Sequence, residues 1–167
     1  MIRTCRQDDV PEILLMIHEL AEYERVLDSV ELTADELHSA LFDDPPTAFA
    51  HLAVDDATGE TLGFALWHLN FSSWQGTGIH LEDIYVRPAA RGSGLGTALL
   101  GELARICTER GYRRLEWWVL KWNTPAIDFY ASLGAVPLDE LSIFRLAGPP
   151  LAEPACSGRT AAAAGGS

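Results

Sequence analysis

One glycine-rich segment, Arg91-Gly92-Ser93-Gly94-Leu95-Gly96, constrains the fold of this chain more than any other feature. It lies between a strand-like run that ends near Val86 and a helical spacing of apolar residues that begins near Leu95. Glycine permits positive φ angles and close approach of a ligand to the backbone, and a helix N-terminus favours negative charge. The segment is therefore interpreted as a phosphate-binding turn, with a plain tight turn as the alternative.

Two common nucleotide-binding motifs do not fit this segment. No Gly-Lys-Ser/Thr follows the glycines, which excludes a Walker loop. The sixth position counted from Gly92 is Thr97 instead of glycine, and the segment does not follow the first strand of the chain, so the Rossmann fingerprint fails as well.

Hydrophobic periodicity and turn residues predict alternating strands and helices along the rest of the chain. Helices are predicted to begin after Asp8 or Asp9, to run from the capping box at Thr33 to Phe42, and to cover 95–110 and 123–133. Strands are predicted over 1–6, 48–54, 61–71, 79–86, 115–120 and 142–146. The predicted buried stripe of the helix over 95–110 is Leu95, Ala98, Leu99, Leu103 and Ile106. This order predicts one mixed α/β domain over 1–147, followed by a disordered Ala/Gly/Pro-rich tail over 148–167.

Charge excludes several classes of partner. The chain carries 24 acidic and 12 basic side chains, a net charge of −12, which argues against binding nucleic acid or an anionic membrane surface. The distribution is uneven: residues 7–44 hold twelve carboxylates and one cation, whereas residues 87–121 hold seven cations and three carboxylates. The first region suits a cationic ligand and the second an anionic one, although solvated helix faces would give the same pattern.

The spacing of cysteine, histidine and apolar residues predicts where the protein is located and whether it binds a metal. The three cysteines are widely spaced, which indicates reduced thiols in a cytosolic protein. The apolar runs are too short to span a membrane, and no signal-peptide pattern opens the sequence, so a cytoplasmic location is expected. The five histidines show no metal-ligand spacing, and no metal is expected.

A second motif follows the strand predicted over 115–120. Asn123-Thr124-Pro125-Ala126-Ile127-Asp128-Phe129-Tyr130, then Gly134-Ala135, together with the Arg-x-x-Gly-x-Gly pattern that starts at Arg91, resembles the GCN5-related N-acetyltransferase (GNAT) superfamily. The resemblance implies the GNAT-type acyl-CoA N-acyltransferase fold, a central mixed sheet flanked by helices, and acetyl-CoA as cosubstrate. The residues that it implies for binding acetyl-CoA are Ile84, Val86, Arg91, Gly92, Ser93, Gly94, Leu95, Gly96, Thr97, Asn123 and Tyr130. Asn123 is also expected to cap the helix that follows it.

Acyl transfer to an amine requires a base for the ammonium proton and an acid for the departing thiolate. Glu82 lies in the strand ahead of the glycine loop, where a carboxylate in an apolar strand has no obvious structural purpose, and it is the predicted base. Tyr130 is the predicted acid. Regular alternation would place Glu82 with Ile84 and Val86 on one face of that strand and Asp83 on the other.

A narrower resemblance concerns the acceptor. Leu81–Val86, Trp122-Asn123 with Pro125, and the segment 20–24 are similar to the spermidine/spermine (diamine) N-acetyltransferase branch. That branch implies a homodimer and a small cationic amine bound by Glu24, Trp74, Glu82 and Asp83. It also has an acidic residue where this chain has Ser72, so a shorter diamine or a thialysine-like amine competes with spermine as the expected acceptor. A protein lysine or N-terminus as acceptor, and acyl-CoA binding without catalysis, are the alternatives.

Overall fold

The structure is a computed structural model that describes residues 1–148 and residue 151. Its regular elements are β1 (Ile2–Thr4), α1 (Val10–Tyr23), α2 (Ala34–Phe42), β2 (Phe49–Val54), β3 (Thr61–Ser72), β4 (Gly76–Val86), α3 (Leu95–Arg110), β5 (Leu115–Trp117) and α4 (Thr124–Ser132). The strands form one sheet in the order β1-β2-β3-β4-β5, antiparallel throughout except that β5 runs parallel to β4. The predicted mixed α/β fold is confirmed.

Helices cover both faces of the sheet within residues 1–129, which form one compact unit. On one face, Ile13 and Met16 of α1 and Leu37 of α2 pack with the core that includes Phe64. On the other face, Glu102 of α3 lies 3.8 Å from the His51 imidazole. Burying a large apolar side chain such as Ile13 or Phe64 contributes about 1.5–3 kcal/mol to stability.

A bulge in β4 reverses the side-chain alternation. Trp67 of β3 pairs with Leu81, but the preceding residue of β3, Leu66, pairs with Asp83, so Glu82 has no partner opposite it. Cross-strand partners share a face of the sheet, and Trp67 and Leu66 point to opposite faces. Leu81 and Asp83 therefore point to opposite faces too, because the extra residue of a bulge shifts the phase of the strand. Asp83 and Ile84 alternate as predicted, since their partners Leu66 and Ala65 are adjacent in β3. The predicted grouping of Glu82 with Ile84 and Val86 is wrong, because Glu82 lies beside His68 and His80.

Three smaller predictions also need correction. β5 ends at Trp117 instead of continuing to 120. Ala98 is exposed and Leu95 half-buried, whereas Leu100 and Cys107 are buried, because the sheet beneath α3 selects which helix positions it covers. The boundaries of α3 are as predicted, and Gly111 ends the helix with φ +69°. Among the described residues, no helix is long and apolar enough to cross a membrane.

Residues from Tyr130 onward belong to a second compact unit. The strand predicted over 142–146 does not form: residues 141–147 have no regular secondary structure, and Phe144 is almost fully exposed. Side-chain alternation in a sequence does not supply the hydrogen-bonded neighbour that a strand requires. Residues 149, 150 and 152–167, which hold most of the predicted tail and Cys156, lie outside the described residues.

Asp9 stabilises the start of the chain in a way that the capping prediction missed. Its carboxylate does not cap α1. Instead it accepts hydrogen bonds from the Arg3 guanidinium at 2.6 and 2.8 Å and from the Arg6 backbone N–H at 2.7 Å. The bond from Arg3 is the main reason that the pKa of Asp9 lies below its ordinary value.

Replacing Asp9 by asparagine is expected to lower the free energy of unfolding at pH 7 by about 1.5–3 kcal/mol, the usual range for hydrogen bonds to charged groups. Because the folded pKa lies below the unfolded one, this stabilisation is present above about pH 4 and is lost as the pH falls through the folded pKa. Urea unfolding of both proteins at pH 7 and pH 3 measures it, with Asp8→Asn, an exposed neighbour, as the control. An equal difference at both pH values would contradict the assignment.

Candidate active site

The glycine loop has the geometry of an anion-binding turn. Gly92 and Gly94 have φ angles of +78° and +86°, a region that other residues rarely adopt. A Cβ atom built on either residue would meet no atom within 4 Å, so the surface above both is open to a ligand. Gly94 is the N-cap of the 16-residue helix α3. Backbone N–H groups and the helix dipole therefore converge on an accessible point, which fits a pyrophosphate.

The other loop residues differ in what they contribute. The Ser93 hydroxyl donates to the Ala90 carbonyl within the loop, and Thr97 is exposed on the first turn of α3. A Cβ on Gly96 would lie 3.3 Å from the Phe129 ring. Gly96 therefore allows close packing of α3 against Phe129 of α4, a structural reason beside its predicted role in binding.

Arg91 is held by aromatic rings and by the backbone. Its Nε donates to the Val86 carbonyl at 3.0 Å, and its guanidinium lies 5.1 Å from the centre of the Tyr23 ring and 5.7 Å from that of Tyr85. Cation–π contacts of this kind fix the side chain. Its remaining N–H groups make no hydrogen bond within residues 1–148 and are available to a phosphate.

Asn123 joins the second motif to the end of α1. Its side chain is buried, and its Oδ1 accepts from the Ala126 backbone N–H and from the Tyr23 hydroxyl, each at 3.4 Å. The predicted capping role of Asn123 is thereby confirmed. Tyr23 was not predicted as a site residue, although the segment that contains it was one of the matches to the diamine acetyltransferase branch.

One edge of β4 is not paired with a strand at Ile84 and Val86, two residues that were predicted to bind acetyl-CoA. β5 pairs with β4 only over Ile79–Leu81, so along Glu82–Val86 no described strand occupies that edge. Unpaired backbone N–H and C=O groups on a sheet edge can bind an extended chain that carries amide groups. Ile84 and Val86 are both half-buried there.

Three carboxylates approach one another beside this edge. Burial and, after it, the charges of Glu82 and Glu24 raise the pKa of Asp83 to about 7. Burial also raises the pKa of Glu24, which ends α1. Within the described part of the chain, no lysine or arginine forms an ion pair with any of the three. The cluster has the charge to receive a cation from solution.

Two imidazoles flank Glu82. Nε2 of His68 and Nε2 of His80 each lie 3.8 Å from Oε2 of Glu82. Neither histidine was among the predicted site residues, although the hairpin register predicts that the two are cross-strand partners. Ser72 pairs with Gly76 beside the turn, and continuing that register back along both strands pairs His68 with His80.

Two further predicted residues lie in the β3–β4 turn and on α4. Trp74 lies in the turn between β3 and β4 with 93% of its surface exposed, and it lines a cleft with Tyr112 and Arg113. The Ser72 hydroxyl accepts from the backbone N–H groups of Trp74 and Gln75 and so stabilises this turn. Tyr130 is half-buried on α4, two helical turns after Asn123. The roles predicted for Trp74 and Tyr130 stay predictions.

The fold and this arrangement are those of an acyl-CoA-dependent acetyltransferase. The Acetyltransferase (GNAT) family matches residues 13–135. The chain is 38% identical over 148 residues to the thialysine N-epsilon-acetyltransferase of Bos taurus, covering 84% of this chain and 86% of that protein. It is also 38% identical to the human spermidine/spermine N(1)-acetyltransferase-like protein 1 over 142 residues, 82% of this chain and 20% of that protein.

A solved structure has a similar fold. An integron cassette protein from the mobile metagenome of V. cholerae superposes with a TM-score of 0.75 at 25% identity, covering 91% of this chain and 94% of that one. The chain therefore belongs to the GNAT acetyltransferase family and is an N-acetyltransferase, and the predicted family and branch are confirmed. Acetyl-CoA is the cosubstrate of this family.

Proposed function

We propose that this enzyme acetylates the primary amine of a small cationic acceptor, a short diamine or a thialysine-like amino acid. The observation that carries the proposal is the cluster of Glu24, Asp83 and Glu82, which has no lysine or arginine partner among the described residues. An ammonium group relieves the repulsion between these carboxylates. The named activities of the thialysine and spermidine/spermine relatives support the same class of acceptor.

The acetyl-CoA site is proposed along the open edge of β4 and the glycine loop. Backbone N–H groups from Gly92 to Thr97 and the Arg91 guanidinium bind the pyrophosphate, and the backbone at Ile84 and Val86 binds the amide-containing arm. Asn123, whose Oδ1 is already engaged by Ala126 and Tyr23, holds the start of α4 in place. Acetyl-CoA supplies a thioester whose carbonyl carbon is the electrophile that the amine attacks.

The proposed chemistry is direct attack in a ternary complex. Glu82 takes a proton from the ammonium, through a water molecule or directly, and the free amine forms a C–N bond with the thioester carbonyl carbon. As the C–S bond breaks, the Tyr130 hydroxyl protonates the sulfur, and the second proton lost by the attacking nitrogen returns through solvent to the Tyr130 oxygen. Each proton transfer removes charge that would otherwise develop in the transition state.

The Ser72 position favours a short acceptor over spermine. Its hydroxyl is engaged with the turn backbone and offers no negative charge to an additional ammonium group. We therefore expect higher kcat/KM for thialysine, lysine or putrescine than for spermine. A thiol-release assay across these amines tests this order. Stoichiometric mass shifts on protein substrates without turnover of any small amine would favour a protein acetyltransferase, and coenzyme binding without any transfer would favour an acyl-CoA-binding module.

Removing the charge of Asp83 tests the acceptor site. Asp83→Asn is expected to raise the KM for the amine about tenfold while changing kcat less, because an attraction present in both ground state and transition state is lost. Asp28→Asn is the matched control, since Asp28 is exposed within the acidic region 7–44 and carries the same charge. Equal effects of the two variants would indicate general electrostatic steering instead of a local contact.

Adding a side chain to the glycine loop tests the cosubstrate site. Gly94→Ala is expected to raise the KM for acetyl-CoA about tenfold or more, because an alanine at φ +86° costs about 1–2 kcal/mol and distorts the loop. Gly59→Ala is the control: Gly59 has φ +75° in the turn between β2 and β3 and equally open surroundings. Both variants should lose similar stability in thermal unfolding. An unchanged KM in Gly94→Ala would contradict the proposed site.

Two further properties are proposed from the branch. A homodimer is supported by the adjacent exposed apolar side chains of Trp118, Val119, Leu120 and Trp122 within the first unit. A cytoplasmic location is supported by Cys5 and Cys107, which are free thiols.

A further inference from the structure

Two histidines face each other across the β3–β4 hairpin. His68 and His80 are direct cross-strand partners, so their side chains leave the same face of the sheet, and their ring centres lie 5.0 Å apart. His80 is nearly buried. Its ring makes an edge-to-face contact with Trp118, with 4.9 Å between the ring centres, which restricts its movement. His68 is about two-fifths exposed, so the pair is reachable from solvent.

The bulge brings a carboxylate to this pair. Oε2 of Glu82 lies 3.8 Å from Nε2 of each histidine, and the three atoms lie within 4.8 Å of one another. Two ligands that each lie about 2.0–2.2 Å from a tetrahedral ion are about 3.4 Å apart. The separations of 3.8 Å and of at most 4.8 Å exceed this value, so the three side chains need shifts of less than about 1 Å each to share one ion.

A hydrogen bond prepares one of the ligands. Nδ1 of His68 lies 3.2 Å from the Leu69 carbonyl oxygen. A carbonyl only accepts hydrogen bonds, so Nδ1 is the donor and Nε2 of the neutral ring keeps its lone pair. Metal-binding histidines are oriented by the same kind of contact, in which the ring nitrogen that does not bind the ion donates to a carbonyl or carboxylate oxygen.

We propose that His68, His80 and Glu82 form a site for a divalent transition-metal ion of the Zn²⁺ class. Two imidazole nitrogens and one carboxylate oxygen match Zn²⁺, Co²⁺ or Ni²⁺, and they do not match Mg²⁺ or Ca²⁺, which take oxygen ligands. The half-exposed Glu82 leaves room for water at the remaining coordination position. Binding of the ion and proton transfer by Glu82 exclude each other, so the ion inhibits acetyl transfer; this consequence rests on the proposed function.

Metal binding is measured first, without acetyl-CoA or amine. Tag-free, full-length protein is titrated with Zn²⁺ in a calorimeter and with Co²⁺ by visible absorption, in wild type, His68→Gln, His80→Gln and the control His38→Gln on α2. We expect the wild type and the control to bind one metal ion per chain, with a Co²⁺ spectrum typical of nitrogen and oxygen ligands. Each of the two cluster variants should lose more than about tenfold in affinity, since even a supporting residue of a metal site contributes 10–100-fold.

The outcomes separate the metal site from the catalytic proposal. No binding in wild type, equal binding in all four proteins, or a Co²⁺ spectrum with thiolate charge-transfer bands would overturn the site. Because His80 is nearly buried, His68→Gln decides the matter if His80→Gln fails to fold. Inhibition of acetylation by Zn²⁺ that weakens in His68→Gln supports the whole scheme. Absence of binding in a protein that acetylates amines normally would overturn the metal site and leave the proposed function intact.

Discussion

Replacing Tyr130 by phenylalanine is expected to lower kcat by about 10²-fold or more and to leave the affinity for acetyl-CoA nearly unchanged. The substitution removes one hydroxyl and keeps the ring, so packing on α4 is largely preserved. Without the phenol, the sulfur leaves as an unprotonated thiolate. The activation barrier rises because the negative charge that develops on sulfur is not neutralised. Steady-state kinetics and calorimetric binding of acetyl-CoA, measured on the same preparation, separate the two effects.

Tyr112→Phe is the matched control for this experiment. Tyr112 is a half-buried tyrosine of the first unit that lines the cleft beside Trp74, and it has no predicted role in catalysis. It should retain the wild-type kcat. If Tyr130→Phe turns over at the wild-type rate, another group protonates the leaving thiolate. If its acetyl-CoA affinity falls in parallel with kcat, Tyr130 serves mainly in binding.

Glu82→Gln is expected to lower kcat/KM for a strongly basic amine by about 10²-fold or more, since general base catalysis contributes 10²–10⁴-fold. Glutamine is close in size to glutamate but accepts no proton from the ammonium. The loss should shrink for an acceptor whose ammonium pKa lies near neutrality, because much of that amine already arrives unprotonated. The comparison of two acceptors distinguishes a base from a residue that only shapes the pocket.

Glu60→Gln controls for the change in charge. Glu60 is exposed beside β3, in the turn that follows β2, and its side chain makes no ion pair within the described residues. An equal loss for both acceptors in Glu82→Gln would contradict the role of base. Full activity of Glu82→Gln with every amine would transfer that role to another group of the cluster.

Local features of this protein were predictable because local chemistry determines them. Helix α3 begins after glycines that adopt positive φ angles and ends at Gly111, and its predicted bounds were correct. The capping box of Thr33 and Glu36 likewise begins α2 at the predicted place, since both partners lie within one helical turn. The Asn123 cap is a third example.

Features that depend on a partner outside the same helix or strand were missed. Asp9 binds Arg3 instead of capping its helix, and the residues 142–146 lack a neighbouring strand. The grouping of Glu82 with Ile84 failed because a bulge in β4 is a property of its pairing with β3. Regular alternation cannot reveal such a bulge within a single strand.

The sequence by itself determined the class of enzyme, because a loop of glycines ahead of a helix and a capped helix after the next strand are short-range patterns whose residues carry their own chemistry. Only the tertiary structure decided how the acidic groups meet. The bulge turns Glu82 toward His68 and His80, and packing of α1 on the sheet brings Glu24 near Asp83. These contacts depend on strand pairing and on helix packing, and their energies depend on burial and on distance, which exist only after folding.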